Sequence, residues 1–272
     1  MSDMLQDKVA IVTGAGTRGG GLGLGKATAI RFAREGAKVC LVDLERERAE
    51  ETEALIAGEG GTAFVVAADV TSTEACRDIV AQTVDRWGGL DVLVNNVGIT
   101  GARGRLERLD EEVWERVMLT NLKSATFMSK HAVTAMADSG GGSIINLSSV
   151  GGIRAGGSPA YGPSKAALIA LSRDIALLHG RDGIRANTIA PGHVYTPMVG
   201  DAGGTAGDRD QRREIAPLGV EGTPWDVAGA AVFLAGDDSR FVSGTCLVVD
   251  GGVSAIGALA AHRAMLAREQ AG

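Results

Sequence analysis

Tyr161 and Lys165 stand four residues apart in SPAYGPSKAALIAL, at the start of a run with helical periodicity. Side chains four apart on a helix share a face, so their polar ends can converge on one ligand. A phenol with a pKa of about 10 is a poor base at neutral pH. A neighbouring ammonium favours the phenolate and lowers that value. Tyr161 could then take or give a proton at an alcohol or carbonyl oxygen, which is general acid–base chemistry. Just upstream, Ser148 and Ser149 end the apolar run SIINLS, and a hydroxyl there could hydrogen-bond the same oxygen. The Y-x-x-x-K spacing alone also fits a partly buried tyrosine beside a solvated lysine, so its weight comes from what surrounds it.

The elements that must position these groups are legible as alternating patterns. Short, nearly continuous apolar runs occur at 8–13, 37–43, 62–67, 91–95, 143–148, 184–190 and 245–250. Runs of that kind suit strands covered on both faces, hence a parallel sheet. Segments 24–35, 46–57, 73–87, 108–137, 160–179 and 225–236 between them are long enough for crossover helices. The expected fold is α/β: one doubly wound, Rossmann-type parallel sheet of about seven strands, with helices on both faces, spanning 1–272 as one domain. Residues 198–222 lose the alternation and are expected to form a substrate lid. ERERAEETEAL (45–55) reads as a solvated helix face.

The first strand leads into TGAGTRGGGLGLGK, with seven glycines between Gly14 and Gly25. Such a turn at the carboxyl edge of a parallel sheet, followed by a helix N-terminus, offers free N–H groups to a pyrophosphate. G-x-G-x-x-G matches at Gly14, Gly16 and Gly19, but further glycines follow Gly19, so a helix is not expected there. The helical pattern starts at Gly23-Leu24-Gly25, which makes Gly23 and Gly25 the helix-entry glycines. Asp43 ends the second strand 20 residues after Gly23, where a carboxylate can accept hydrogen bonds from ribose hydroxyls and repel a 2′-phosphate. NAD is therefore expected over NADP, with Arg18 and Arg46 as nearby positive charges that weaken the exclusion.

The chain has 272 residues, 45% of them apolar, and a net charge of −6. That length suits a sizeable core, and the acidic balance without a clustered basic face argues against nucleic acid. Cys40, Cys76 and Cys246 are far apart and form no C-x-x-C pair, which suits buried thiols in a reducing, cytoplasmic setting. No apolar stretch reaches 18 residues, so no membrane span is expected. His131, His179, His193 and His262 show no metal-ligand spacing, and no metal site is expected. His193, between Gly192 and Val194, faces either the substrate or solvent.

Taken together, these residues resemble the short-chain dehydrogenase/reductase family of the one-domain type, over residues 8 to 252. The resemblance rests on the TG…GLG turn, Asp69-Val70 after the third strand, NNVG (Asn95 to Gly98), Asn121 in the long helix, Ser149, Tyr161 and Lys165, PGHVYTP (191–197) and VDGG (249–252). It implies that Ser149 orients and polarises the substrate oxygen, that Tyr161 is the acid/base, and that Lys165 binds the nicotinamide ribose while lowering the tyrosine pKa. Asn121 would hold a water linking Lys165 to solvent; its alternative is a purely structural helix-kink asparagine. Gly14, Gly23, Leu24, Gly25 and Asp43 would hold the cofactor. Asp69 and Val70 would meet the adenine, Asn96 and Gly98 would line the adenosine side, and Val194 with Thr196 would meet the carboxamide. A homotetramer is implied, with 108–137 and 160–179 at one interface.

Three departures from the family pattern stand out. Residues 15–22 separate Gly14 from Gly23 where T-G-x-x-x-G-x-G has three, and the extra residues are expected to bulge from the turn without moving the helix. Ser149 precedes Tyr161 by 12 residues, whereas Ser148 would give the more usual 13; Ser149 is preferred on the register of the strand and the following Val-Gly-Gly. NNVG replaces NNAG. The expected activity is NAD-dependent hydride transfer between nicotinamide and a secondary alcohol or ketone. Alternatives are a non-catalytic dinucleotide-binding regulatory or scaffold protein, or a sugar-nucleotide epimerase or dehydratase, which usually carries more chain after the last strand. A methyltransferase would have no need for Tyr161 and Lys165. The extension 253–272 is helix-prone and is expected to pack at a subunit interface.

Overall fold

The computed structural model describes residues 3–197 and 206–257. Seven strands form one parallel sheet in the order β3-β2-β1-β4-β5-β6-β7. They are β1 (Val9–Thr13), β2 (Lys38–Asp43), β3 (Thr62–Ala67), β4 (Val92–Asn95), β5 (Gly142–Leu147), β6 (Ile184–Pro191) and β7 (Cys246–Val249). Each matches an apolar run of the sequence. Side chains on a strand alternate between faces, and here each face has its own core. Ala10 and Val12 of β1 join Phe32, Leu41, Val94 and Leu234 on one side. Val9 and Ile11 join Ile79, Leu93, Met128 and Ile175 on the other.

Helices α1 (Leu24–Arg34), α2 (Arg46–Gly58) and α8 (Pro224–Ala235) supply the first core. Helices α3 (Thr73–Trp87), α5 (Ser124–Asp138) and α6 (Tyr161–His179) supply the second. On α2 only Ala49, Thr52 and Ile56 are buried, which leaves its charge run facing solvent. A capping box at Thr223 and Asp226, with Pro224 in the first turn, starts α8. The order reverses at β1 and β4, where the chain runs outward in both directions. In an open sheet of this kind ligands bind at that reversal, beyond the carboxyl ends of the strands.

Two segments differ from the sequence reading. The expected long helix 108–137 is α4 (Glu111–Met118), a π-helical turn at Leu119–Lys123, and then α5. Within 198–222, the expected substrate lid with no apolar alternation, residues 206–215 form a helix, α7 (Ala206–Ile215). Its sequence, AGDRDQRREI, carries too few apolar residues to show a helical stripe. Residues 198–205 of the expected lid and 258–272 of the C-terminal extension lie outside the described residues. No described helix is long and apolar enough to cross a membrane.

Candidate active site

Tyr161 is the first residue of α6, and Lys165 lies one turn further on. The lysine is 4% exposed. Its Nζ donates to the carbonyl oxygen of Leu147, at the end of β5, at 2.7 Å. The same nitrogen is 5.8 Å from the centroid of the Tyr161 ring. Burial penalises the ammonium and pulls the Lys165 pKa down to about 8. Burial likewise pushes the Tyr161 hydroxyl above its ordinary value, against a hydrogen bond with Ser149 and the positive charge of Arg103, which both favour the phenolate. Arg103 was not singled out in the sequence, where a lone arginine in the irregular 99–104 stretch carries no signal.

The two adjacent serines separate cleanly. Ser148 is buried and donates to the main-chain oxygen of Lys165 at 2.7 Å. Ser149 is half-buried, accepts from the Gly151 N–H at 3.1 Å, and so caps the short turn Val150–Gly152. Its hydroxyl is the one that reaches Tyr161. Nothing in the spacing 12 against 13 could decide this; the strand register does, because β5 ends with Leu147 beside Ile189 of β6.

Asn121 sits in the π-helical turn and is fully buried. Its Oδ1 accepts from the Ile99 N–H at 2.7 Å, and its Nδ2 donates to the Ile99 carbonyl at 2.9 Å and to Ser164 Oγ at 3.0 Å. One extra residue in the turn, as in a π-bulge, is what aims a side chain off the regular helical face. Asn121 thereby ties the segment following β4 to α6. Gly98, on that segment, borders the site itself: a Cβ there would lie 3.0 Å from Lys165 Nζ and 3.4 Å from Asn121 Oδ1.

The glycine-rich turn occupies the same sheet edge. Helix α1 begins at Leu24 with Gly23 as its cap residue, so the helix-entry reading places the element correctly. A Cβ on Gly25 would sit 2.0 Å from the Gly14 carbonyl oxygen, a separation that only glycine permits. Asn96 Nδ2 closes the other side, donating to the carbonyls of Thr13 at 3.0 Å and Gly14 at 3.1 Å. The additional residues do not simply bulge outward. Ala15 and Thr17 are buried, the Ala15 carbonyl accepts from Thr52 Oγ1 of α2 at 2.8 Å, and Thr17 Oγ1 accepts from the Gly23 N–H at 3.0 Å. Arg18 and Gly19 alone are exposed within 15–19. Further on, a Cβ on Gly21 would meet Pro197 Cγ at 2.6 Å. The insertion is thus held by α2 on one side and by the segment after β6 on the other.

Asp43, at the end of β2, faces this turn. Its Oδ2 accepts from the Gly16 N–H at 2.9 Å and its Oδ1 from the Glu45 N–H at 3.1 Å. Asp69 accepts from the backbone N–H and the hydroxyl of Thr71, while Val70 beside it is buried. Val194 is buried and forms a parallel bridge with Gly222, and Thr196 follows it half-buried. A cavity of about 480 Å³ lies where Gly21, Leu22, Tyr195, Pro197 and Trp225 come together. The residues fit a dinucleotide: the first turn of α1 has unpaired N–H groups, its cap is a glycine without a side chain, and Gly25 keeps the backbone bare. Among the described residues no three His, Cys, Asp or Glu side chains converge as metal ligands would.

A family model described as enoyl-(acyl carrier protein) reductase matches residues 20–254, its start falling inside the glycine-rich turn. Cis-4-hydroxycyclohexanecarboxylate dehydrogenase of Sinomonas cyclohexanicum is 36% identical over 94% of this chain and 100% of its own. A solved structure described as a short-chain dehydrogenase/reductase from Burkholderia xenovorans superposes with a TM-score of 0.88 at 39% identity, covering 93% of this chain and 99% of that one. A 7α-hydroxysteroid dehydrogenase complexed with NADH and 7-oxo glycochenodeoxycholic acid superposes with a TM-score of 0.86 at 32% identity, covering 92% and 96%.

Proposed function

The chain belongs to the short-chain dehydrogenase/reductase family, and from that premise we propose that it is an NAD-dependent secondary-alcohol dehydrogenase or ketone reductase with Tyr161 as its acid/base. The observation that carries this reading is the juxtaposition of Ser149 and Tyr161, which both lie 3.5 Å from where a Gly151 Cβ would stand, with Lys165 one turn along α6 and the bare N-terminus of α1 on the same sheet edge. A nicotinamide dinucleotide held at the Gly14, Gly23, Leu24 and Gly25 turn supplies the hydride acceptor or donor.

The protein's own part is to handle the proton. In oxidation Tyr161, as phenolate, removes the hydroxyl proton while the carbon surrenders its hydride; in reduction the phenol returns a proton to the forming alkoxide. Ser149 donates to the same oxygen and fixes its position. Lys165, 5.8 Å from the ring, favours the phenolate through its charge and takes the ribose side. Asn121 holds the Ile99 segment against α6, where a water it retains would pass protons from the lysine outward. Asp43 takes the adenosine ribose and supports NAD over NADP, Asp69 and Val70 the adenine, Asn96 and Gly98 the adjoining wall, and Val194 and Thr196 the carboxamide.

The chain acts as one domain, with α7 covering the substrate. Exposed Trp114 and Leu119 on the α4–α5 face support a homotetramer, and the buried Cys40 and Cys76 suit a reducing cytoplasm. The test is turnover of secondary alcohols with NAD and NADP, followed by absorbance of the reduced nicotinamide. Oxidation with a lower KM for NAD supports the reading, and no oxidation with either coenzyme overturns it.

A further inference from the structure

We propose that His193 and Arg212 form an anchor for a substrate carboxylate, so that the alcohol or ketone taken by this enzyme is a hydroxy or keto acid; the proposal rests on the dehydrogenase reading above. His193 lies two residues beyond β6, the strand next to the one that leads into Ser149. Arg212 lies on α7. Both present a buried side-chain nitrogen, Nδ1 of His193 and one terminal nitrogen of Arg212, without a hydrogen-bond partner. Native proteins leave few such atoms unpaired, because a buried polar group without a partner keeps the whole cost of its lost hydration.

The two orphaned atoms belong to one cluster. Arg212 Nε donates to Glu221, and the adjoining Gly222 N–H donates to the His193 carbonyl at 3.2 Å; burial, followed by the Arg212 charge, holds the imidazole below the usual histidine range, while Asp250 opposes it. Neither nearby carboxylate fills the gap. Glu221 is gripped by Arg209 Nε at 2.8 Å and Arg212 Nε at 2.9 Å, so two guanidiniums share one carboxylate and the trio keeps a net positive charge. Asp250 accepts from the Gly252 N–H at 2.9 Å and the Ser254 N–H at 2.7 Å and is satisfied by backbone. Leu218 N–H donates to the Gly251 carbonyl, which joins the segment after α7 to the same rim. Arg154, from the loop before Tyr161, donates to the Ser254 carbonyl and closes that rim toward the catalytic side. A planar carboxylate has two oxygens for two such donors, a guanidinium N–H and an imidazole in its Nδ1–H tautomer. A phosphate would need more donors than the pair supplies.

The experiment compares 3-hydroxybutyrate and 4-hydroxycyclohexanecarboxylate with their methyl esters, and cyclohexanol as a neutral alcohol, on the NAD-loaded enzyme. At least one acid is expected to exceed its ester at least 10-fold in kcat/KM. His193→Leu should bring that ratio close to one by raising KM for the acid with the ester unchanged. His193→Asn, whose amide nitrogen replaces Nδ1–H, should keep the preference. Arg212→Gln should also abolish it, and because Arg212 also holds Glu221 the histidine pair decides the matter. Esters or cyclohexanol oxidised with no acid preferred would overturn the anchor and leave the dehydrogenase intact, as would a His193→Leu loss equal for acid and ester. No oxidation of any compound would overturn both.

Discussion

The Ser148 hydroxyl donates to the main-chain oxygen of Lys165 at 2.7 Å. That contact spends one serine on holding the sheet to α6 and leaves its neighbour Ser149 to meet Tyr161. The two alanine variants therefore separate. Ser149→Ala should lower kcat by about 10²–10³-fold with little change in melting temperature, from the loss of one polarising donor. Ser148→Ala should retain most of the turnover and lose about 1 kcal/mol of stability, the usual net value of a hydrogen bond. Steady-state kinetics and urea melts of the pair check both; the reverse pattern would move the role to Ser148.

Tyr161→Phe removes the transferable proton and keeps the ring in place. Turnover should fall by about 10²–10⁴-fold, the range of a lost general acid or base, while NADH affinity, read by fluorescence titration, stays within a few-fold. Retained turnover would transfer the proton chemistry elsewhere.

Lys165 has a measurable signature in stability. Its pKa falls from 10.5 to about 8 on folding, so between those values the unfolded chain binds the extra proton. The site thus destabilises the free protein fully below pH about 8, and the penalty fades as pH rises to 10.5. At 1.36 kcal/mol per pH unit it is on the order of 3 kcal/mol. Lys165→Met, though inactive, should close part of that gap at pH 7 and show a flatter stability profile up to pH 10. Parallel profiles for the two proteins would show that the ammonium is not strained.

Gly25→Ala places a methyl group 2.0 Å from the Gly14 carbonyl. The turn must open, so NADH affinity should drop at least about 10-fold, equal to 1.4 kcal/mol, with far-ultraviolet circular dichroism unchanged. Wild-type affinity in this variant would remove the turn from the coenzyme site.

Much of this architecture could be read from the sequence because the five strands inside the sheet, between the edge strands β3 and β7, are buried on both faces and therefore mostly apolar. Asn121 was placed in a helix, but the π-helical turn that aims it at Ile99 left no mark in composition, since Leu119–Lys123 fits a regular helix equally well. Helix α7 was missed because a charged helix lying over a rim has no apolar stripe. Helix α1 starts after Gly23 rather than after Gly19 for a steric reason, as it can begin only where the glycine run ends. What the insertion does was not legible, because its anchors, Thr52 and Pro197, are far away in sequence.

The bare face of Gly21 lies under the Pro197 ring, where a Cβ would meet Pro197 Cγ at 2.6 Å. A side chain grafted at position 21 would act as a wedge, prising the glycine-rich turn off the chain that follows β6.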